Sequence, residues 1–537
     1  MKHTPWAGSF FLALLVLGLY CPLAEGQKSA TAIDSEQALT VAFSPNGRML
    51  AAAGFSKAIL IWDARTGNAL RTLEGPKRTT RRSIVFSSDG KLLIGCGDDG
   101  VVHLWNAQTG ALERSFPGPD GVQDTQAIAS SPDGMKLAVA HARPPGQDRR
   151  SPSEVTLLDL KTGKVDWAWT GNKWVYSVAF APDGKTVSAA DGAVHLLNAR
   201  TGERIKSLRI EDRQALKVAF SPDGKSLAAG GGHWVKVGGG TKQISEVFVW
   251  DVQTGKLLRR ITDLEPWLRC VAYSPDGKTL ATGSSGPIRQ NRGLSWVSSE
   301  IRLWDMRSGR LLRTIPGELA EMWSVAFSPD GRSLLSCDGK VVALTEALTG
   351  LRRLTLTKRT PLSSEAAVDL KRWWSALGSS DGAQAYRAMG QLAAASKESV
   401  PFLNEHLRPV EGLPRRRVSQ LIASLDSDQF TERESAQREL EKLQDLAEEE
   451  LAKTLARKPS LEARKRIWLL LEKSDLLKNP ERLRALRAIE VLENIGTSEA
   501  KRTLQRLADG APEAQQTREA RASLERFGKR TKPASLP

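Results

Sequence analysis

Between Val41 and Gly331, short apolar runs alternate with turn residues on a recurring period. Val41-Ala42-Phe43 is followed by Ser44-Pro45-Asn46-Gly47, and six further versions of the phrase end at Gly90, Gly134, Gly184, Gly224, Gly277 and Gly331. The triplet alternates as a half-buried strand does; Pro then presets φ for a turn that Gly closes. A second apolar run follows, as in Ser226-Leu227-Ala228-Ala229-Gly230. A third, Ile301-Arg302-Leu303-Trp304-Asp305, places Ile301 and Leu303 on one face, and after Ser308-Gly309 comes a fourth, Leu311 to Ile315. Four short antiparallel strands copied seven times in tandem predict a seven-bladed β-propeller.

Those residues carry a resemblance. From about Ala38 to Thr357 the chain resembles the WD40 repeat family: Trp62-Asp63, Trp250-Asp251 and Trp304-Asp305 keep its signature pair, and Trp105-Asn106 and Leu197-Asn198 keep degraded forms. The Gly-His pair that the family sets before the first strand is absent. Glu74-Gly75-Pro76 and Phe116-Pro117-Gly118 stand there instead, so the hydrogen-bond network anchored on that His must differ.

Near Lys358 the period-two pattern stops, and text rich in Leu, Ala, Glu, Arg and Lys takes over. Ala423, Phe430, Ala436, Leu440 and Leu443 fall near one stripe across two helices, and Leu483, Leu486, Ile489 and Leu492 form another. Gly496 ends one helix and Thr497 caps the next; Ser460-Leu461-Glu462 and Pro480-Glu481 open others. Eight to ten short helices in antiparallel pairs are expected, and Phe430 to Ala436 and Gly496 to Ala500 resemble HEAT-like repeats. The fold class is therefore multidomain β + α: a signal peptide at 1–26, a WD40-type propeller at 27–357, a linker at 358–364, an α-helical HEAT-like domain at 365–530 and a disordered tail at 531–537. Proteolysis in the linker is expected to release two fragments. The combination resembles exported bacterial WD-repeat proteins of unassigned function.

The first residues set the compartment. Lys2 and His3 precede an apolar stretch from Phe10 to Tyr20, and Ala24-Glu25-Gly26 offers small residues where a signal peptidase reads. Export to the periplasm or outside the cell is expected, with cleavage near Gly26-Gln27 and no membrane span thereafter. An uncleaved anchor is the alternative, since Trp6 to Ala24 is near spanning length. The formal net charge of +16 favours acidic surfaces, and export argues against nucleic acid as the partner. Cys96, Cys270 and Cys337 are too scattered for a disulfide framework or a metal site and read as small buried hydrophobes.

Catalytic chemistry is sparse. His103 and His195 share one place in the third strands of blades two and four, where other blades carry Leu60, Thr156, Phe248, Arg302 and Val342. A slot that accepts all those types is structural rather than catalytic. Asp98-Asp99-Gly100 reads as turn chemistry, Gly238-Gly239-Gly240 as a flexible loop and Arg415-Arg416-Arg417 as a solvated helix start. No enzyme, metal or cofactor is indicated.

The spacing of the copies points elsewhere. From Phe43 through Phe86, Ser130, Phe180, Phe220, Tyr273 and Phe327 the steps are 43, 44, 50, 40, 53 and 54 residues. The surplus in blades three, five and six lies between the second and third strands, at His141 to Ser153, Gly232 to Ser245 and Gly286 to Ser299. Loops at one connection share one face. Arg143, Arg149 and Arg150, then His233, Trp234 and Lys236, then Arg289, Arg292 and Trp296 are the residue types that interface hot spots favour. The sequence thus predicts an exported, non-catalytic scaffold that holds a protein partner through a propeller face and a helical-repeat surface, with two alternatives: binding of an acidic envelope polysaccharide by the propeller face, or a propeller hydrolase or lactonase.

Overall fold

The computed structural model describes residues 38–55, 58–75, 81–119, 124–142, 153–209, 214–237, 240–264, 268–290, 293–317, 321–339, 341–356, 369–412, 415–443, 445–457, 459–473 and 476–531. The proposed signal peptide, the linker at 358–364 and residues 532–537 lie outside them. Seven four-stranded antiparallel sheets form seven blades, each from four consecutive strands: Ala38–Glu74, Arg81–Pro117, Asp124–Thr170, Ser177–Leu208, Gln214–Leu264, Leu268–Pro316 and Ser324–Leu356. First strands are innermost and touch their neighbours around a closed ring, blade seven meeting blade one. Ala38 N–H donates to Gly339 O at 2.9 Å across that seam, and Val41 N–H donates to Ser324 Oγ at 3.4 Å.

The repeated phrases explain the blades. In the first turn of blade two, Ser87 Oγ donates to Asp89 Oδ1 at 2.6 Å and accepts from Leu92 N–H at 3.0 Å, while Gly90 takes φ 71°, which a Cβ would disfavour. In Trp-Asp the two residues divide the work. Trp62 is fully buried between blades one and seven, and Asp63 Oδ1 accepts from Thr66 N–H and Oγ–H at 2.8 and 2.9 Å, capping the turn to the outer strand. Among the described residues, Cys96, Cys270 and Cys337 are all buried.

Blades two and four show what stands in for the missing Gly-His pair. His103 Nε2 meets Asp99 Oδ2 at 3.0 Å and Nδ1 meets Ser115 Oγ at 2.8 Å; His195 repeats this with Asp191 and Ser207, both at 2.9 Å. Each chain ties the connection between strands two and three to the two outer strands. Both rings are sealed inside their blades, so a strand-face role holds, with an added bracing function; in blade seven the ladder sets Ala343, not Val342, at their position.

Among the described residues ten α-helices follow: α1 Leu370–Leu377, α2 Gly382–Ala394, α3 Ser396–His406, α4 Arg415–Ser424, α5 Phe430–Leu443, α6 Asp445–Ala456, α7 Leu461–Lys473, α8 Pro480–Ile495, α9 Ser498–Ala508 and α10 Gln515–Thr531. Their sequence signals hold at several ends: Gly496 takes φ 71° after α8, and Thr497 and Ser460 accept from the backbone N–H three residues on. They form two groups. Helices α1–α3 and α8–α10 share one apolar cluster with blades one and seven, joining Trp62, Leu344 and Leu356 to Tyr386, Met389 and Ile489. Helices α4–α7 have a core of their own, including Val418, Leu421, Leu440 and Ile467. Ala436 and Leu440 lie in that core as the stripe predicts, but Ala423 and Phe430 are exposed, because helical phase resets across the turn between α4 and α5.

The seam between propeller and helices is ionic as well as apolar. Blade seven writes Thr345-Glu346 where others write Trp-Asp, and the longer Glu346 side chain reaches Arg487 Nη2 at 2.9 Å and Arg353 Nη2 at 3.1 Å. Arg353 also binds both carboxylate oxygens of Glu490 at 2.8 Å. Arg332 meets Glu519 at 2.6 Å and Glu493 at 2.9 Å, and Tyr386 Oη–H donates to Ala64 O. The expectation of two separable fragments did not anticipate this shared core.

Candidate functional site: the channel mouth

Antiparallel order sorts the connections onto two faces. First and third strands run the same way, so the Ser-Pro-Asp-Gly turns and the turns after Trp-Asp lie together. The connections between strands two and three lie on the opposite face, beside the starts of the innermost strands. The helices take the first face at blades seven and one, since Ala64, Arg332 and Glu346 all belong to its turns. The second face carries the inserts of blades five and six.

Two of the three inserts are hairpin extensions rather than loops. In blade five, strands Ser226–Val237 and Gly240–Asp251 stay paired out to Val237 with Gly240; in blade six, Thr279–Gln290 and Gly293–Asp305 stay paired out to Gln290 with Gly293. Alternating His233-Trp234-Val235-Lys236-Val237 ahead of Gly238-Gly239 was the available sign. Trp234 pairs with Gln243, Lys236 with Thr241, Arg289 with Leu294 and Trp296 with Pro287. His233 sits at the hairpin base, largely enclosed, with Nδ1 3.8 Å from Glu246 Oε2. Arg143, Arg149, Arg150 and Arg292 lie outside the described residues.

Inward of the hairpins is a feature that the sequence reading missed. Two residues ahead of the repeated valine or isoleucine, the blades carry Leu39, Arg82, Gln126, Tyr176, Leu216, Arg269 and Trp323, all at least partly exposed. In five blades the ladder skips this residue, making Leu39, Arg82, Gln126, Leu216 and Arg269 β-bulges; Tyr176 and Trp323 directly precede their strands. Bulges re-aim side chains and gather beside binding sites. Here one lies at equivalent positions of successive innermost strands, so the set rings the channel mouth. The only sequence sign was variability at a fixed register beside an invariant apolar partner.

The ring is cross-linked between blades. Arg82 Nε donates to Asp124 Oδ1 at 2.9 Å. Burial still pushes the Asp124 carboxyl up, more than Arg82 pulls it down. The Arg269 guanidinium lies 4.6 Å over the Trp323 ring and 3.6 Å from Glu321, and Trp174 and Tyr176 sit with ring centroids 6.4 Å apart. Aromatic faces and guanidinium groups held in place suit recognition of peptide or sugar surfaces. Among the described residues no group of three or more His, Cys, Asp or Glu could hold a metal ion, and no helix is long and apolar enough to cross a membrane.

Comparison with known proteins agrees with the fold. The family described as WD domain, G-beta repeat matches residues 32–63, 67–106, 163–198, 255–305 and 309–343. An uncharacterized WD repeat-containing protein of Synechocystis is 30% identical over 213 residues, which is 39% of this chain and 40% of that protein. The WD repeat-containing protein SL1-17 of Schistosoma mansoni is 27% identical over 166 residues, 30% of this chain and 52% of that one. The human WD repeat and SOCS box-containing protein 1 is 30% identical over 89 residues, 16% and 18% of the two chains. The chain thus spans about half, or less, of the length of these curated relatives. What it shares with them is the WD40 repeat, here folded as a seven-bladed propeller with a helical region behind it.

Proposed function

We propose that this chain is an exported, non-catalytic WD-repeat scaffold that grips a protein partner on its insert-bearing face. One observation carries the reading: the helices occupy the opposite face at blades seven and one, leaving the bulge ring and the extended hairpins of blades five and six side by side. Arg82, Tyr176, Arg269 and Trp323 are the anchors proposed at the mouth, with Trp234, Trp296 and Arg292 on the inserts. A second, HEAT-like surface is proposed for the helical region. It is supported by α4 pairing with α5 and α6 with α7, while α4 lies beside α6 and α5 beside α7.

Trp323→Ala is expected to weaken partner binding by roughly 1–3 kcal/mol. Capture from an envelope fraction, compared between the native protein and this variant, checks it. Partner recovery untouched by Trp323→Ala and by Trp234→Ala, Trp296→Ala and Arg292→Ala would leave the face without a role. An acidic polysaccharide as the true ligand would show as binding that survives removal of envelope proteins and falls steeply with salt. The export reading predicts a mature protein beginning at or near Gln27; N-terminal sequencing that returns Met1 on a cytosolic product would overturn it.

A further inference from the structure

Helix α7 is packed on one side and open on the other. On the packed side it lies along α5, joined by a ladder of ion pairs in which Glu434 meets Arg466 at 2.8 Å and Glu441 meets Lys473 at 2.7 Å. Both partners' numbers rise together, so the two helices run parallel, each contributing apolar contacts to one core and charges to its rim. The open side carries Leu461, Lys465, Trp468 and Leu469, at spacings of four, seven and eight residues from the first, with Arg464 beside them. Trp468 is 59% exposed and Leu461 67%. All the large exposed apolar side chains of the described helices belong to α5 and α7, so the patch is confined to one place in the helical region.

Beside this stripe runs a cleft of about 230 Å³, walled by Ala452 and Leu455 of α6, Trp468 and Leu471 of α7, and Arg310. Arg310 follows the Ser308-Gly309 turn of blade six, so one wall of the cleft is propeller and the other is helix. Arg310, Arg464 and Lys465 are exposed, and among the described residues none pairs with a carboxylate of this chain. The α5–α7 seam shows how α7 accepts a neighbouring helix: apolar contact at the centre, with carboxylate opposite cation at the edge. The open side offers the same arrangement with the carboxylates missing.

Resting on the scaffold reading of the helical surface, we infer that the α7 groove binds an amphipathic helix of a partner protein. That helix presents apolar residues at i, i+3, i+4 and i+7 to Trp468 and Leu461, and carboxylates to Arg310, Arg464 and Lys465. An amphipathic helix laid in an apolar groove uses just such spaced anchors. The carboxylates choose the ligand over neutral or basic helices, because like charges at the rim repel.

The test uses the full mature protein and a fluorescein-labelled amphipathic helix of about 15 residues, long enough to hold helical structure. It carries leucine anchors and is made with glutamate or with lysine on its flanks. Fluorescence anisotropy is expected to show binding of the glutamate version alone. Trp468→Ala, and separately the pair Arg464→Glu and Lys465→Glu, should each weaken it about tenfold or more. Trp468→Ala should leave the melting temperature unchanged, since the side chain is mostly in solvent. Equal binding of both peptides, or binding that survives Trp468→Ala, overturns the proposal. So does Trp468-dependent capture of phosphatidylglycerol vesicles without peptide binding, which would make the stripe a membrane face. Trp323→Ala reports separately on the channel mouth. If the peptide requires Trp323 and not Trp468, the α7 groove is discarded and the propeller reading stands; if it requires neither, this inference alone falls.

Discussion

Arg353→Ala is expected to destabilise the seam between propeller and helices by about 3–5 kcal/mol, the usual consequence of stripping one partner from a buried ion pair. Arg353 is 3% exposed and binds Glu490 through both oxygens, with Glu346 on its second amine. Removing the guanidinium leaves Glu490 buried without its cation, whereas Glu346 keeps Arg487. Adding Glu490→Leu to Arg353→Leu should therefore recover part of the loss, because an apolar pair avoids the desolvation that the ions carry. Urea unfolding of the single and double variants measures this. A double variant no more stable than Arg353→Leu alone would contradict it.

The same seam sets an acid limit. Burial pushes the Glu346 carboxyl up, yet Arg353 and Arg487 outweigh it and bring the group from 4.5 down to about 2. A carboxylate whose folded value is depressed stabilises fully above its unfolded value and loses that contribution as pH falls through the folded one. The seam should hold above about pH 4.5 and loosen between there and about pH 2. After cleavage in the linker, the two fragments should stay together on gel filtration at neutral pH and part in acid.

Trp304→Ala is expected to cost about 3–5 kcal/mol, the range for truncating a large buried aromatic. Trp304 lies between blades five and six against Val249 and Leu280, and its Nε1–H donates to Thr282 Oγ1 at 2.9 Å. The substitution opens a cavity that two blades line and removes the shorter of two hydrogen bonds at the Thr282 hydroxyl, which keeps Arg302 O at 3.4 Å. Trp468→Ala offers the contrast, since an exposed side chain away from such features changes stability by about 0.5 kcal/mol or less. Thermal melts of the two variants side by side check both statements. A Trp304→Ala melt matching the native protein would mean that Trp-Asp is not the centre of the blade packing.

By itself the sequence determined the blades. Each alternating run and each Ser-Pro-Asp-Gly or Thr-Gly turn is a local instruction, completed within about forty residues, and seven copies in register allow only a ring. The helix ends at Ser460, Gly496 and Thr497 were legible for the same reason: a cap is made by neighbours in the chain. Three things waited for the tertiary structure. The bulge ring at Leu39, Arg82, Gln126, Leu216 and Arg269 depends on where each inner strand slips against its partner, which no single strand encodes. Phe430 and Trp468 face solvent because of how α4–α7 stack, although their apolar character alone reads as core. The seam of Arg332, Arg353, Glu346 and Glu490 joins residues more than a hundred positions apart. The lone sign of it in the chain, Thr345-Glu346 in place of Trp-Asp, gains meaning only when α8 brings Arg487 against that carboxylate.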